Sequence, residues 1–352
     1  MKTISRFLSA GVLLALTAAL VFVAKNFQDF FASWYPDLSQ WLLGVIGGFT
    51  NSVPLPLWML GLALAALWAV YSLIRNLMKG KFLRWVAGLT WGLSFFLFAF
   101  VLLWGAGHYL PTKTESILEV KTYSAQELAE ATRFYAQRVD LYAPQMTRGE
   151  DGKVVLPEFD TMAREAENCC TALAARYKAI PTAELQAKEL LLGDLFGYLG
   201  ITGIFVPVTA ESSVSPHTYP SSMPYTICHE LAHRLGACAE EDANFLAFLA
   251  CMESDDAIFR YSANYSAFIY CFNALSEVDR ETAEEIWWGM SDLSRSDISL
   301  ATAHYAPYEG KVQELSDSVN DAYLKAAGQE AGSRSYGLVS DALIAWYQEN
   351  YL

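Results

Sequence analysis

The chain has 352 residues, a net charge of −14 and a hydrophobic content of 53%. Residues 1–106 contain seven Lys or Arg and two acids among long apolar runs, whereas residues 107–352 contain 17 basic and 36 acidic residues, a net charge of −19. An acidic body without a basic stripe argues against nucleic acid as a partner, because such binding needs Lys and Arg at the phosphates. We therefore expect a membrane anchor over 1–106 and an acidic globular domain over 107–352.

Three apolar segments in the first part are long enough to cross a bilayer. The first contains residues 7–24, which are eighteen residues without a charge. A bilayer core of about 30 Å requires about twenty helical residues, so each segment is predicted to be a transmembrane helix. The first has the length of a signal peptide, but it lacks a clear cleavage site and two more spans follow. The predicted spans are about 5–25, 56–78 and 84–106.

The basic residues beside these spans indicate their orientation. Lys2 and Arg6 lie at the start of the first span, and four basic residues with no acid beside them cluster at the link between the second and third spans. The positive-inside rule places both groups in the cytoplasm, so we expect a cytoplasmic N-terminus and an extracytoplasmic domain over 107–352. Residues 30–57 combine Trp, Tyr, Gly and Pro with an apolar run too short to cross, and we expect them to lie in the membrane interface, so that lipid is a partner.

The second part of the chain is predicted to be mainly α with little sheet. Ser124 and Glu127 form a capping-box pattern before helically spaced apolar residues. Pro207 cannot donate to a ladder, so any strand within 203–214 is an edge strand or irregular. Residues 147–157 are expected to form a loop or short hairpin. The predicted helical stretches are about 124–143, 158–177, 182–196 and most of 224–350.

The sequence His229-Glu230-Leu231-Ala232-His233 is the strongest chemical motif in the chain. Residues four apart lie on one face of a helix, so the two imidazoles can bind one Zn²⁺ ion. In this HExxH arrangement the Glu next to the first His takes a proton from a metal-activated water. Pro224 suits the start of this helix and Gly236 its end, which predicts that both His lie in one regular segment.

A catalytic zinc takes three protein ligands and keeps one position open, so a third ligand is expected elsewhere. An acidic cluster follows the motif directly, and Asn244 lies four residues after the first Glu of that cluster, on the same helical face. Acids are also favourable in the first turn of any helix, which is the simpler interpretation of the cluster. Spacing alone leaves four candidates for the third ligand: Glu240, Glu241, Asp242 and His304.

The segment PYTICHELAHRLGACAEEDANFLAFLAC, with GIFVPVTAESSV before it and FRYSANYSAFIY after it, resembles the domain-of-unknown-function 3810 family. That resemblance implies a bacterial protein with N-terminal transmembrane helices and a zincin-like, gluzincin-type domain. EEDANFLAFLA is also similar to a segment of ImmA/IrrE-type metallopeptidases in which the first Glu completes the zinc site, which implies Glu240 as the third ligand. Many metallopeptidases with a Glu ligand have Asp where Asn244 stands, but an Asn oxygen can also accept the His N–H.

Several further residues are candidates with a simpler packing interpretation. Phe205 and Val206 belong to a segment along which an extended peptide could bind, or to an ordinary core strand. Four side chains are candidates for stabilising an oxyanion, but most Tyr in a chain with nineteen of them pack in the core. These four are Tyr261, Tyr265, Tyr270 and His304. The six Cys contain no CxxC pair, and we expect them to be small buried residues without disulfides.

The leading functional hypothesis is a membrane-anchored zinc metallopeptidase acting on peptides or proteins, with Glu230 as general base and His229, His233 and Glu240 as metal ligands. The alternative is a non-catalytic zinc-stabilised module that binds a peptide as a sensor or scaffold. A purely structural zinc site has no need of a base beside its ligands, so Glu230 favours the enzyme. A transporter is disfavoured because the middles of the spans lack ionisable residues.

Overall fold

The computed structural model describes residues 2–326 and 336–352, and its elements are mainly helices with one small sheet. The chain divides into two compact units. The first unit comprises Met1–Leu110 and Val206–Glu211, and the second comprises Pro111–Phe205 and Ser212–Leu352. Helices of the first unit are α1 (Lys2–Asn26), α2 (Gln28–Ala32), α3 (Tyr35–Thr50), α4 (Leu57–Met78) and α5 (Phe82–Leu103).

Within the described residues, three helices of the first unit are long and apolar enough to cross a membrane: Thr3–Asn26, Leu57–Met78 and Phe82–Leu103. This confirms the three apolar helices that the sequence predicts. The short α2 and the sixteen-residue α3 connect the first two of them. Tyr35 in α3 is buried, stacks on Phe31 with ring centroids 4.4 Å apart and donates a hydrogen bond to the carbonyl oxygen of Val101. One face of α3 is thereby fixed to the end of α5.

The segment Val206–Glu211 belongs to the first unit although it lies far along the chain. The carboxylate of Glu211 accepts hydrogen bonds of 2.8 Å from the backbone N–H groups of Leu57 and Trp58. Thr50 donates to the carbonyl oxygen of Thr209. A negative charge is favourable at the N-terminus of a helix, so Glu211 stabilises the first turn of α4.

The second unit is built around helices whose buried sides form one core. Residues Phe245–Cys251 of α11 are buried all round, as expected for a central helix that is apolar on every side. The helices are α6 (Lys113–Ile117), α7 (Ala125–Tyr142), α8 (Phe159–Arg176), α9 (Gly193–Tyr198), α10 (Met223–Arg234), α11 (Glu240–Glu253), α12 (Ala257–Val278), α13 (Arg280–Gly289), α14 (Asp292–Tyr305), α15 (Lys311–Ala326) and α16 (Tyr336–Tyr351).

The sheet has three strands, β1 (Ala187–Glu189), β2 (Gly203–Val206) and β3 (Glu211–Val214), in the order β1-β3-β2. Strands β1 and β3 are parallel, with Ala187 opposite Ser212 and Glu189 opposite Val214. Strand β2 lies at an edge, and Pro207 follows it in the turn to β3, as the missing N–H of proline predicts. The prediction that any strand within 203–214 lies at an edge is wrong for β3, which is the central strand, because Pro207 lies outside it and leaves its N–H groups able to pair.

The helices predicted at 124–143 and 158–177 are confirmed, including the capping box of Ser124 and Glu127. The predicted hairpin is present as a bridge between Arg148 and Val154. The region from 224 onward is helical as predicted, except that residues 327–335 lie outside the described residues. The six Cys are free and buried, which confirms that prediction.

The helix predicted over 182–196 is wrong. Part of this stretch is strand β1, and only Gly193–Tyr198 is helical. Leu192 has a left-handed backbone, with φ of 60°, which separates the two elements. The residues of the stretch favour helix by local propensity, but pairing with β3 overrides that propensity, and no local pattern encodes this pairing.

Candidate metal centre

Helix α10 places His229 and His233 on one face, as their spacing predicts. Pro224 stands in its first turn, where a missing N–H costs nothing. Gly236 has φ of +90° and donates to the carbonyl oxygen of His233, and Ala237 donates to that of Ala232. This left-handed residue stops the helix directly after the motif. The imidazole ring centroids of the two His lie 4.7 Å apart.

Helix α11 brings Glu240 to the same point. Glu240 is the first residue of this helix and follows the end of α10 after a short connection. Its Oε2 lies 3.4 Å from Nε2 of His229, and its Oε1 lies 3.6 Å from Nε2 of His233. One ligand atom from each of the three residues lies within 4.8 Å of the others, so the cluster can hold a metal ion. The geometry does not by itself determine which metal.

The other ring nitrogens of the two His have different surroundings. Nδ1 of His233 lies 2.6 Å from the carbonyl oxygen of Ala237, so Nε2 is the nitrogen that can bind a metal when Nδ1 carries the proton. Nδ1 of His229 is buried and makes no hydrogen bond among the described residues. The side chain of Asn244 nevertheless interacts with His229 and raises its pKa.

Asn244 is held by two tyrosines. The Tyr270 hydroxyl lies 2.9 Å from Oδ1 of Asn244, and the Tyr225 hydroxyl lies 2.8 Å from its backbone carbonyl oxygen and 3.2 Å from Oδ1. Sequence reasoning missed Tyr225, although Tyr225 lies four residues before His229 and therefore on the same face of α10. This four-residue spacing is a sequence signal that could have identified Tyr225.

Glu230, the acid of the motif, is buried, with only 5% of its surface exposed. Its Oε2 is buried and has no hydrogen-bond partner among the described residues. Burial raises the pKa of Glu230 to about 8, although the charge of His229 opposes this shift. Ser212 of β3 donates a hydrogen bond of 2.7 Å to the backbone carbonyl oxygen of Glu230.

The charges of the cluster also shift the two imidazoles in opposite directions. Burial lowers the pKa of His233 to about 4. Burial also acts to lower the pKa of His229, but the hydrogen bond to Glu240 and the charges of Glu230 and Glu240 outweigh it, so the net shift is upward. The two imidazoles therefore differ in proton affinity: the pKa of His229 is raised and that of His233 is lowered.

The residues present fit a zinc ion on two independent observations. Two imidazoles and one carboxylate are a donor set that zinc takes at sites with an open position. In the described part of the chain, the buried Oε2 of Glu230 has no partner, lies on the residue next to a ligand and can accept from a donor such as water.

The other candidates for the third ligand have different roles. Asp242 is buried and accepts hydrogen bonds from the backbone N–H of Lys113 and from both the N–H and hydroxyl of Thr114. His304 lies with Nε2 2.7 Å from the carbonyl oxygen of His217. Glu241 is outside the metal-binding group. The cluster therefore contains Glu240 and none of the other three.

The tyrosines considered for oxyanion stabilisation are separated by the structure. The Tyr261 hydroxyl donates to the buried carboxylate of Asp297, which also pairs with Arg148. Tyr265 is buried in the core. Of the three tyrosines, it is Tyr270 that connects to the cluster, through Asn244.

A comparison with family models matches residues 33–344 to a family described as "Protein of unknown function (DUF3810)". No curated protein and no solved structure matches the chain.

Proposed function

The chain belongs to the DUF3810 family, whose function is unknown, and we propose that it is a membrane-anchored zinc metallopeptidase that hydrolyses peptide bonds. The observation that carries the proposal is the position of Glu230. Glu230 follows His229 directly, beside the cluster of three side chains that can hold a metal ion, and one oxygen of its carboxylate is buried and has no partner among the described residues. A site that only stabilised the fold would have no use for it.

His229 and His233 would hold zinc through Nε2, and Glu240 through its carboxylate. When bound, zinc would lower the pKa of a coordinated water toward about 7 and polarise the carbonyl of the scissile peptide bond. Two imidazoles with a carboxylate suit zinc better than the harder cations Mg²⁺ and Ca²⁺, which prefer oxygen ligands. We accordingly propose a zincin-like fold of the gluzincin type for the second unit.

Glu230 acts as the general base in this proposal. Its carboxylate accepts a proton from the attacking water and passes it to the nitrogen of the leaving amine. A base must be ionised to accept the proton, and burial, together with the charge of Glu240, raises the pKa of Glu230 to about 8. A divalent cation nearby favours the ionised form, so the same group is better suited to act as a base in the loaded site.

The anchor determines where the proposed enzyme acts. The basic residues before the first span and between the second and third spans favour a cytoplasmic N-terminus, which assigns the second unit to the extracytoplasmic side of a bacterial cytoplasmic membrane. Peptides or proteins on that side would be its substrates. A reporter fused after Leu352 that behaved as a cytosolic protein would contradict this orientation.

The test uses the full-length protein in detergent and in cells. Purified wild type and Glu230→Gln should each bind one zinc per chain, because the substitution keeps the shape of the side chain and Glu230 is not a ligand. In cells, peptides with new termini should appear with the wild type and disappear with Glu230→Gln, while the neighbouring control Glu241→Gln keeps them. Identical cleavage profiles for wild type and Glu230→Gln, with zinc bound in both, would instead identify a non-catalytic zinc module.

A further inference from the structure

Gly203, the first residue of strand β2, lies directly against the side chain of Glu230. A Cβ atom built on Gly203 would stand 2.7 Å from Cγ and 2.8 Å from Cδ of Glu230, and closer still to Oε1. Real Cβ atoms essentially never approach other atoms to less than 3.0 Å. Any other residue at this position would therefore occupy the space that the Glu230 side chain fills.

The conformation of the backbone does not explain the glycine. Its φ lies outside the range of +20° to +160° that L side chains rarely adopt, unlike φ of Gly236 or Gly200. Other residues can adopt the backbone of Gly203 without strain. The glycine is needed here because it has no side chain, and the space this leaves is filled by atoms of Glu230.

Glu230 has little freedom to move away from the strand. Only 5% of its surface is exposed, and it lies in the middle of α10 between the two His. Its carbonyl oxygen accepts the hydrogen bond from Ser212. The overlap with a Cβ at position 203 would also involve Cγ, which lies near the root of the Glu230 side chain and cannot swing aside as the carboxylate tip can.

We infer that Gly203 is a positioning residue for Glu230: the bare backbone of β2 packs on the carboxylate and fixes its place beside the metal ligands. This inference rests on the proposed function for its catalytic consequence, but the contact itself can be tested without any activity. A displacement of about 1 Å in a catalytic group can cost about 100-fold in rate, so this packing would matter for the reaction.

The first experiment is a double-mutant cycle on thermal unfolding of the full-length protein in detergent. Gly203→Ala should lower the unfolding midpoint by several degrees in the wild type, because the added methyl group overpacks against Glu230. In the Glu230→Ala background the same substitution should lower it little or not at all, because the overlapping atoms are gone. The control Gly289→Ala has open space around its Cβ and should have the same small effect in both backgrounds.

If Gly203→Ala lowered the unfolding midpoint equally in both backgrounds, the inference would be overturned, because the destabilisation would then not arise from contact with Glu230. If Gly203→Ala alone does not fold, the double variant decides: folding of Gly203→Ala/Glu230→Ala supports the contact, and its failure to fold overturns it.

The second experiment measures zinc affinity and cleavage of a substrate found with the wild type. Gly203→Ala should bind zinc as tightly as the wild type and lose about 100-fold in kcat with little change in KM, because a group that acts only in the reaction is displaced. Wild-type kcat in this variant would overturn the inference. A wild type that cleaves nothing would remove the proposed function, but the unfolding cycle would still decide the contact between Gly203 and Glu230.

Discussion

The hydroxyl of Ser212 donates a hydrogen bond of 2.7 Å to the backbone carbonyl oxygen of Glu230, and both residues are buried. This bond ties strand β3 to the helix that carries the metal-binding motif, at the residue between the two His. A strand from an earlier part of the chain thus contributes to the placement of the proposed base.

Loss of this bond should weaken the second unit without removing the metal. Ser212→Ala is expected to cost about 1 kcal/mol of unfolding free energy, which corresponds to a midpoint lower by about 2–4 °C, while zinc affinity stays within about twofold. Ser318→Ala is a matched control, because its hydroxyl also donates to a backbone carbonyl at 2.7 Å but is exposed. Equal losses of unfolding free energy in the two variants would show that the buried Ser212 hydrogen bond contributes no more to stability than the exposed one of Ser318.

Substitutions of Glu240 and Asp242, two acids of the same cluster, should separate metal binding from folding. Glu240→Ala removes a ligand, so zinc affinity should fall by more than the roughly 10- to 100-fold that is usual for outer-shell partners. The neighbouring control, Glu241→Ala, should change it by less than about threefold. Competition titration with a zinc chelator measures both, and unchanged affinity in Glu240→Ala would exclude Glu240 as a ligand.

Asp242→Ala, in contrast, should destabilise the fold and leave zinc affinity unchanged. Its carboxylate accepts three hydrogen bonds from Lys113 and Thr114, and its removal leaves buried donors without a partner. We expect a loss of about 2–4 kcal/mol in unfolding free energy, measured by thermal or denaturant unfolding, with zinc affinity close to that of the wild type. A loss of zinc from a folded Asp242→Ala protein would contradict this division of roles.

Much of this site is local in sequence, and that is why it could be predicted. The spacing of His229 and His233, the proline at the start of α10 and the glycine after its end all act within one helix, and each is confirmed by the structure. Features that depend on distant partners are harder to predict. Local propensity favours helix where strand β1 forms, because its pairing with β3 is not encoded nearby, and the role of Gly203 arises only when β2 meets α10.

Asn244 should tune zinc binding through His229. Ligation by Nε2 requires a proton on Nδ1, and that proton needs an acceptor. Turning the Asn244 amide by 180° presents its oxygen to His229 and its NH₂ group to the hydroxyl oxygens of Tyr225 and Tyr270, and the two orientations cannot be told apart by shape. The amide is therefore expected to adopt the turned orientation when zinc is bound.

Asn244→Ala should accordingly lower zinc affinity by about 10- to 100-fold. Asn244→Asp provides the matched comparison: its carboxylate accepts from His229 and from both tyrosines, so zinc affinity should equal or exceed that of the wild type. If Asn244→Ala bound zinc as tightly as the wild type, His229 would need no orienting partner.

The pH dependence of zinc binding follows from the unequal titration of the two His. Burial acts to lower the pKa of His229, but Glu240 and Glu230 raise it overall, whereas burial lowers the pKa of His233 to about 4. A protonated imidazole cannot ligate, so zinc must displace the proton of His229 and meets a neutral His233. As pH falls below the raised pKa of His229, zinc affinity should therefore drop tenfold per pH unit, and the drop should begin above about 6.5, where an unperturbed His titrates. The measurement is chelator competition between about pH 5 and 8 in Glu230→Gln, which removes the titration of Glu230. Because this variant also removes the charge of Glu230, which helps to raise the pKa of His229, the drop should begin at a lower pH than in the wild type. A dependence of zinc affinity on pH that corresponds to two protons released per zinc ion would show that His233 is also protonated in the metal-free site. A zinc affinity that does not change with pH would show that neither imidazole is protonated.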